Sequence, residues 1–164
     1  MRKCILTFII LTLIVLTGCA SDPATYYFDS DDLIANTVKI ELVEFENEKP
    51  QMIEINEKNT TNFDYNTVEV IDDLDHHQFE SFIVKLSSIT FHKENFSVNK
   101  PIGKALILHQ KNGDMLVLSC TLIDGICYSF VSKFDSNNNY ITHIARFADR
   151  PQFESLLDAY FVFG

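Results

Sequence analysis

The stretch that decides the fold is KALILHQKNGDMLVLSCTLIDGICYSFVSKF, residues 104–134. It contains three apolar segments rich in Val, Ile, Leu and Phe, separated by Asn112-Gly113 and Asp124-Gly125. Both dipeptides favour two-residue β-turns, and each is a strong short-range signal for a hairpin. Together with YITHIARF, which follows a short polar loop, the stretch predicts a four-strand antiparallel meander.

Shorter segments upstream add to the predicted sheet. Residues 36–47 alternate apolar and charged side chains, which is typical of a half-buried strand with Lys39 and Glu41 on its polar side. Residues 51–55 are expected to pair back on this strand after a turn, and residues 68–71 form another short strand.

Two segments have the periodicity of amphipathic helices. Asp75 occupies the N-cap position of the first, and Gln78 completes a capping box three residues later. Pro151 suits the first turn of the second helix, because the N–H it lacks has no helical partner there. The apolar stripes are Phe79, Phe82, Ile83 and Leu86 in the first helix, and Phe153, Leu156, Leu157 and Tyr160 in the second. The predicted fold class is therefore α+β: a mostly antiparallel sheet ending in a four-strand meander, with two amphipathic helices packed on one face.

The first hairpin determines the surroundings of Cys120. A two-residue turn at Asn112-Gly113 pairs Ala105 with Cys120 and places His109 on the same face of the sheet. His109 would then lie about 13 Å from the row of Cys120, which is too far for it to act as a base toward the thiol. Catalysis by this cysteine is therefore not expected.

The second hairpin determines whether Cys120 and Cys127 can bridge. A two-residue turn at Asp124-Gly125 pairs Leu122 with Cys127, so the cysteines are diagonal neighbours, usually too far apart for an unstrained disulfide. A four-residue loop would place them directly opposite, where they could form a disulfide. We expect two buried thiols, with a Cys120–Cys127 disulfide as the alternative.

The N-terminus has the pattern of a secretory signal peptide. Arg2 and Lys3 form a basic start, and residues 4–18 are then apolar and uncharged. This apolar segment is shorter than the roughly 20 residues that a helix needs to cross a bilayer. The segment is therefore expected to direct export rather than to span a membrane.

The signal segment ends in Leu16-Thr17-Gly18-Cys19, an aliphatic residue, a small residue, glycine and cysteine. This motif resembles the lipobox of bacterial lipoproteins, and the whole chain is similar in size and layout to small lipoproteins of low-GC Gram-positive bacteria. The resemblance implies cleavage between Gly18 and Cys19 and a diacylglyceryl group, with acyl chains such as palmitate, on the Cys19 thiol. Two acyl chains suffice for stable anchoring, which implies a location on the outer face of the cytoplasmic membrane.

We therefore predict a signal peptide over residues 1–18, an acidic tether over 19–33, and a single α+β domain over 34–164. The chain of 164 residues has 13 basic and 23 acidic residues and a formal charge of −10. Loss of Arg2 and Lys3 would lower this charge to −12. Such an excess of acidic groups does not suit a phosphate backbone, so no nucleic-acid partner is expected.

Side chains that could bind a ligand are few. His76 and His77 are adjacent and would point about 100° apart on a helix, so they predict no metal site, and no cofactor is expected. Phe63, Tyr65 and Phe96 lie in segments predicted as polar loops, where exposed aromatic residues are candidate binding anchors. Packing of these rings over the edge of the sheet is the alternative.

The sequence thus predicts a membrane-anchored extracytoplasmic lipoprotein that acts as a non-enzymatic module. It would contact the membrane through its lipid and bind an envelope protein, a peptide or another envelope component. The alternative is a cell-envelope hydrolase with catalytic residues scattered along the chain, because the sequence contains no motif that assigns them. The released peptide ending in LTLIVLTG also resembles bacterial peptide pheromones.

Overall fold

The structure, a computed structural model, describes residues 24–45, 52–54, 69–92, 96–98, 103–147 and 150–161. The described helices are α1 (Ser30–Asn36), α2 (Phe79–Ser87) and α3 (Arg150–Tyr160), and a short 3-10 turn (His76–Gln78) precedes α2. The strands are β1 (Thr25–Tyr26), β2 (Thr37–Phe45), β3 (Met52–Glu54), β4 (Glu69–Asp73), β5 (Phe91–His92), β6 (Phe96–Val98), β7 (Gly103–Gln110), β8 (Met115–Ile123), β9 (Ile126–Phe134) and β10 (Tyr140–Phe147).

Eight strands form one sheet in the order β1-β5-β10-β9-β8-β7-β2-β4, and β3 and β6 form a separate pair. All pairings among the described strands are antiparallel. The predicted α+β class with a mostly antiparallel sheet is therefore confirmed. The meander prediction is confirmed only in part: β7 to β10 are consecutive neighbours, but β2 and β4 extend the sheet beyond β7, and β5 and β1 extend it beyond β10.

The helices share one core with one face of the sheet, which we call the helix face. Its buried sheet residues are Ile40, Leu42, Phe91, Leu106, Leu108, Leu116, Leu118, Cys120 and Val131. Against them pack Leu33 of α1, Phe79, Phe82, Ile83 and Leu86 of α2, and Phe153, Leu156 and Leu157 of α3. The predicted stripes of α2 and α3 are thus buried, except for Tyr160, which is only partly buried. The expectation of two helices omitted α1.

Helix α1 begins inside the segment predicted as an acidic tether and ends at Asn36, three residues beyond it. The Asp29 side chain caps it, because its Oδ1 accepts hydrogen bonds from the backbone N–H groups of Asp31 and Asp32 at 3.0 and 3.1 Å. Phe28 and Leu33 are buried in the core. The second half of the expected tether therefore packs against the domain.

The opposite face of the sheet is buried as well. Val43, Ala105, Ile107, Met115, Val117 and Phe134 form a second apolar cluster there, and Tyr128 and Phe130 form a third. The strand pattern predicted a polar side for β2 with Lys39 and Glu41. The structure corrects this for Glu41, whose side chain is only 2% exposed, while Lys39 is 49% exposed.

The predicted register of the β7–β8 hairpin is wrong by one residue. Ala105 pairs with Ser119 rather than with Cys120, and His109 pairs with Met115. Because neighbouring side chains on a strand point to opposite faces, this shift places His109 and Cys120 on opposite faces of the sheet.

The cause of the shift is a three-residue connection. Gln110 donates its N–H to the Asp114 carbonyl at 2.8 Å, and Gly113 donates its N–H to the Gln110 carbonyl at 2.9 Å. Gly113 has φ +88°, whereas Asn112 is not among the residues with positive φ that a two-residue turn of the predicted type would require. Asn112-Gly113 therefore forms the last two residues of a three-residue turn that begins at Lys111.

The β8–β9 hairpin matches its prediction. Ile123 pairs with Ile126 and Leu122 with Cys127. Asp124 and Gly125 have φ +52° and +77°, as a two-residue turn with both residues in the left-handed region requires.

Strand β3 does not pair back on β2 as predicted. Met52 to Glu54 pair with Val98 to Phe96 of β6, and the neighbours of β2 are β7 and β4. Phe96 therefore begins a strand and not a polar loop, because Phe-Ser-Val has the alternation and residue types that favour an extended backbone. None of the helices in the described part of the chain combines the length and apolar character that a membrane span needs.

Candidate functional site

A cleft of about 490 Å³ lies beside the most N-terminal of the described residues. We call it the N-terminal cleft. Seven residues between Tyr26 and Asn36 line one wall, and Gln110, Lys111, Asn112, Leu116, Lys133 and Ile144 line the other. The cleft therefore joins the α1 region to the β7–β8 connection and to β9 and β10.

Direct contacts hold the two walls together. The Lys111 N–H donates to the Asn36 carbonyl at 2.7 Å, and the Gln110 Nε2 donates to the Thr37 hydroxyl at 3.0 Å. The three-residue β7–β8 connection supplies Lys111, so the turn that shifts the hairpin register also fixes the far wall of the cleft.

Aromatic rings fix the N-terminal wall. Phe28 meets Phe91 edge to face at 5.1 Å between ring centroids, and Tyr26 meets Phe28 in the same way at 5.3 Å. The Tyr26 ring is half-buried, and this burial raises the pKa of its phenol, with the nearby Asp32 carboxylate adding to the effect. Tyr26 therefore stays protonated at neutral pH and can donate a hydrogen bond, while Tyr27 is 61% exposed at the rim.

The carboxylates of the cleft already have structural partners. Asp29 caps α1, and the Asp32 Oδ1 accepts a hydrogen bond from the Asn36 amide at 2.7 Å. On the opposite wall, the Lys133 ammonium forms an ion pair with Asp114 at 2.8 Å. The cleft thus combines amide, phenol and ammonium groups with the apolar side chains of Phe28, Leu33 and Leu116.

A buried carboxylate that the sequence did not reveal lies on the face of the sheet opposite the helix face. Glu41 Oε2 lies 2.6 Å from His109 Nε2, and its other oxygen contacts the Lys39 ammonium. These contacts compensate the burial of a charge. Because Glu41 and His109 are 68 residues apart, no local pattern could have revealed the pair. Neither residue lines the N-terminal cleft.

Cys120 and Cys127 lie close together as unbridged thiols. Their sulfur atoms are 3.7 Å apart across the β8–β9 hairpin. Cys120 is buried as predicted, but Cys127 is exposed, so the prediction of two buried thiols is wrong for Cys127, which lies beside the turn at the end of the hairpin. Burial, followed by the neighbouring Cys127, raises the pKa of the Cys120 thiol. His109, which the sequence predicted on the same face as Cys120 but out of its reach, lies instead on the other face of the sheet.

The remaining predicted site residues are distributed as follows. Gly18 and Cys19, and likewise Phe63 and Tyr65, lie outside the described residues. Phe96 is placed by its backbone at the start of β6.

The predicted helix start is partly confirmed. His77 donates its N–H to the Asp75 carboxylate at 3.1 Å, so Asp75 caps the start of the 3-10 turn. Over the residues that the structure describes, no group of three or more His, Cys, Asp or Glu side chains could hold a metal ion.

Comparison of the chain with protein-family models, with curated proteins and with solved structures finds no match in any of the three. Its function is therefore inferred from the cleft, from the N-terminal motif and from the distance along the chain between them.

Proposed function

We propose that this protein is a lipid-anchored, non-enzymatic binding module on the outer face of the cytoplasmic membrane. Its N-terminal cleft would bind a peptide segment of an envelope protein. The observation that carries the proposal is the position of the cleft in the chain: β1 begins at Thr25, six residues after the lipobox Cys19, and the next residues already line the cleft.

This short connection would keep the cleft at the membrane. Six residues span at most about 20 Å even when fully extended. A diacylglyceryl group on Cys19 would hold the first of these residues at the bilayer surface. The partner would then be a protein segment that comes within this distance of the membrane.

The lining of the cleft supports a peptide ligand. Phe28, Leu33 and Leu116 are buried apolar side chains that line it, and the amides of Asn36 and Asn112 also line it. The Asn36 Nδ2 donates one hydrogen bond to Asp32 and the Asn112 Nδ2 donates one to Asp114. Each amide has a second N–H, which could donate to a carbonyl of a peptide backbone. A volume of about 490 Å³ is within the range of about 300–1,000 Å³ found for ligand pockets.

A cell-envelope hydrolase, the alternative, receives less support. Such an enzyme would need an acid–base group directed at the substrate, and the pKa of this group would usually be shifted. The cleft carboxylates Asp29 and Asp32 instead hold α1 together, and the buried Glu41–His109 pair lies on the other face of the sheet.

Site-specific photocrosslinking in intact cells tests this proposal. A benzophenone amino acid is placed at Tyr27, in the cleft, or at Leu122 as the matched control. Leu122 is 49% exposed and lies about 20 Å from Leu116 along β8, at the usual rise of a strand. Both positions are examined in the full-length protein and in its Cys19→Ser variant.

We expect Tyr27, but not Leu122, to give a discrete crosslinked product that is lost in the Cys19→Ser variant. Equal crosslinking at the two positions would contradict the assignment of the cleft. An unchanged product in the Cys19→Ser variant would contradict the role of the lipid.

A further inference from the structure

Cys120 and Cys127 form a second site, which the proposed function does not use. We propose that they form an intramolecular disulfide by exchange with an external disulfide such as oxidised glutathione, and that Cys127 is the sulfur that meets the oxidant. This inference depends on the β8–β9 hairpin and on neither the N-terminal cleft nor lipidation.

The distance and the register carry the inference. Cys120 pairs with Ser129 and Cys127 pairs with Leu122, so the two side chains are diagonal neighbours on the helix face. Their sulfur atoms are 3.7 Å apart, and a disulfide of about 2.05 Å requires them to approach by about 1.7 Å. Because diagonal neighbours on adjacent strands are about 7–8 Å apart at Cα, closing the bond also requires a small movement of the hairpin backbone.

The exposure of the two thiols fixes the order of the steps. Cys127 is exposed and accessible to a disulfide in solution, whereas Cys120 is 8% exposed. The Cys127 thiolate attacks one sulfur of oxidised glutathione, forms a mixed disulfide and releases one glutathione thiolate. The Cys120 thiolate then attacks Cys127 Sγ, forms the internal disulfide and releases the second glutathione thiolate.

The reaction balances without another reagent. The two protein thiols lose two electrons and two protons, and oxidised glutathione gains them to become two molecules of glutathione. Because diagonal positions are less favourable for a disulfide than directly opposite ones, we expect the bond to be reducible again by excess glutathione.

Mass spectrometry of one tryptic peptide tests the proposal. The full-length protein is reduced, freed of reductant, exposed to oxidised glutathione and blocked with N-ethylmaleimide before denaturation and digestion. Cleavage after Lys111 and Lys133 gives peptide 112–133, which contains both cysteines and no internal cleavage site. We expect this peptide to be two hydrogen atoms lighter than the dithiol and to carry no maleimide.

Three variants separate the roles of the sulfur atoms, with circular dichroism as the test of folding. Cys120→Ala should retain glutathione on Cys127, because it lacks the thiol that would release it. Cys127→Ser should acquire glutathione on Cys120 at least about tenfold more slowly than Cys120→Ala acquires it on Cys127, because Cys120 is buried and Cys127 is exposed to the oxidant. The double variant Cys127→Ser/Ile126→Cys moves the exposed thiol to the other face of the hairpin and should form the mixed disulfide without closing the ring.

Two results would overturn the proposal. The first is a wild-type peptide that carries maleimide on either cysteine, or that keeps glutathione on Cys127, after oxidation. The second is ring closure in the double variant at the wild-type rate, since this would show that closure does not depend on the diagonal register.

Discussion

The turns of the two hairpins at the centre of the sheet differ in length by one residue. This difference determines which side chains lie on the same face of the sheet. The β8–β9 hairpin turns on Asp124 and Gly125 alone, and both have positive φ. The β7–β8 hairpin turns on three residues that end at Gly113. An Asn-Gly or Asp-Gly dipeptide therefore predicts a hairpin without determining the length of its turn.

The hydrophobic pattern could not settle the register of β7 against β8. Alternation specifies register when one face of a sheet is buried and the other is solvated. Leu106 and Leu118 are buried on the helix face, and Ile107 and Val117 are equally buried on the other face. A slip of one residue would therefore replace apolar side chains on each face by other apolar side chains. The turn must then determine the register of β7 against β8.

Alanine at Gly113 should have the largest effect of the substitutions that follow from this comparison. A Cβ at position 113 would lie 2.9 Å from the Cβ of Ser136, and the residue has φ +88°. We expect Gly113→Ala to lower the free energy of unfolding by about 3 kcal/mol, since backbone strain and overpacking act together. Urea denaturation measures this change, and the background variant Ser136→Gly should recover the part due to overpacking.

Alanine at Gly125 should cost less. Its φ is +77°, but no atom lies within 4 Å of the position that a Cβ would take. We expect Gly125→Ala to lower the free energy of unfolding by about 1.5 kcal/mol, from backbone strain alone. Equal losses for Gly113→Ala and Gly125→Ala in the same denaturation experiment would contradict the difference between the turns.

Deletion of Lys111 should turn the first hairpin into a copy of the second. Gln110 and Asp114 already face each other, so Asn112-Gly113 could close a two-residue turn without any change of register. We expect a loss of about 1 kcal/mol, from the hydrogen bond between the Lys111 N–H and Asn36. NMR contacts between the strands should still pair Leu106 with Leu118. A new pairing of Ala105 with Cys120, which would restore a three-residue turn over residues 112–114, would contradict this expectation.

The ion pair beside the first turn should have the smallest effect. The hydrogen bond from Lys133, followed by one from Asn112, holds the pKa of Asp114 below its ordinary value of 3.8. A lowered pKa in the folded state stabilises the fold above the ordinary value and loses this effect as the pH falls through the folded value. We expect Asp114→Asn to cost less than about 1 kcal/mol at pH 7.

The pH dependence checks the origin of this effect. The difference in unfolding free energy between the wild type and Asp114→Asn should shrink as the pH falls below 3.8. In a Lys133→Met background the difference should be small at every pH. A difference that persists in that background would assign the effect to another contact of Asp114.

Much of the fold could be predicted because its signals are local. The stripes of α2 and α3 and the Asp124-Gly125 turn depend on residues close together in sequence. Strand β3 was assigned to the wrong partner because its pairing with β6 joins distant segments that carry no shared signal.

The candidate site was harder to predict. Its cleft joins residues 26–36 to a connection more than 70 residues later, and the Asp29 cap that starts α1 was hidden in an acidic segment that resembles a tether. The signal that could have revealed α1 is Asp29 followed by two further acidic residues and Leu33, which is an N-cap pattern. No comparable signal precedes the Glu41–His109 pair.

Lipidation of Cys19 is the claim on which the location and the reach of the cleft depend. Cells that express the wild type or the Cys19→Ser variant are fed an alkyne-bearing fatty acid, and the protein is then isolated from membrane and soluble fractions. We predict label on the wild-type protein in the membrane fraction and none on the variant, which should leave that fraction. An unlabelled wild-type protein, or a variant that keeps the label, would contradict the proposed anchor.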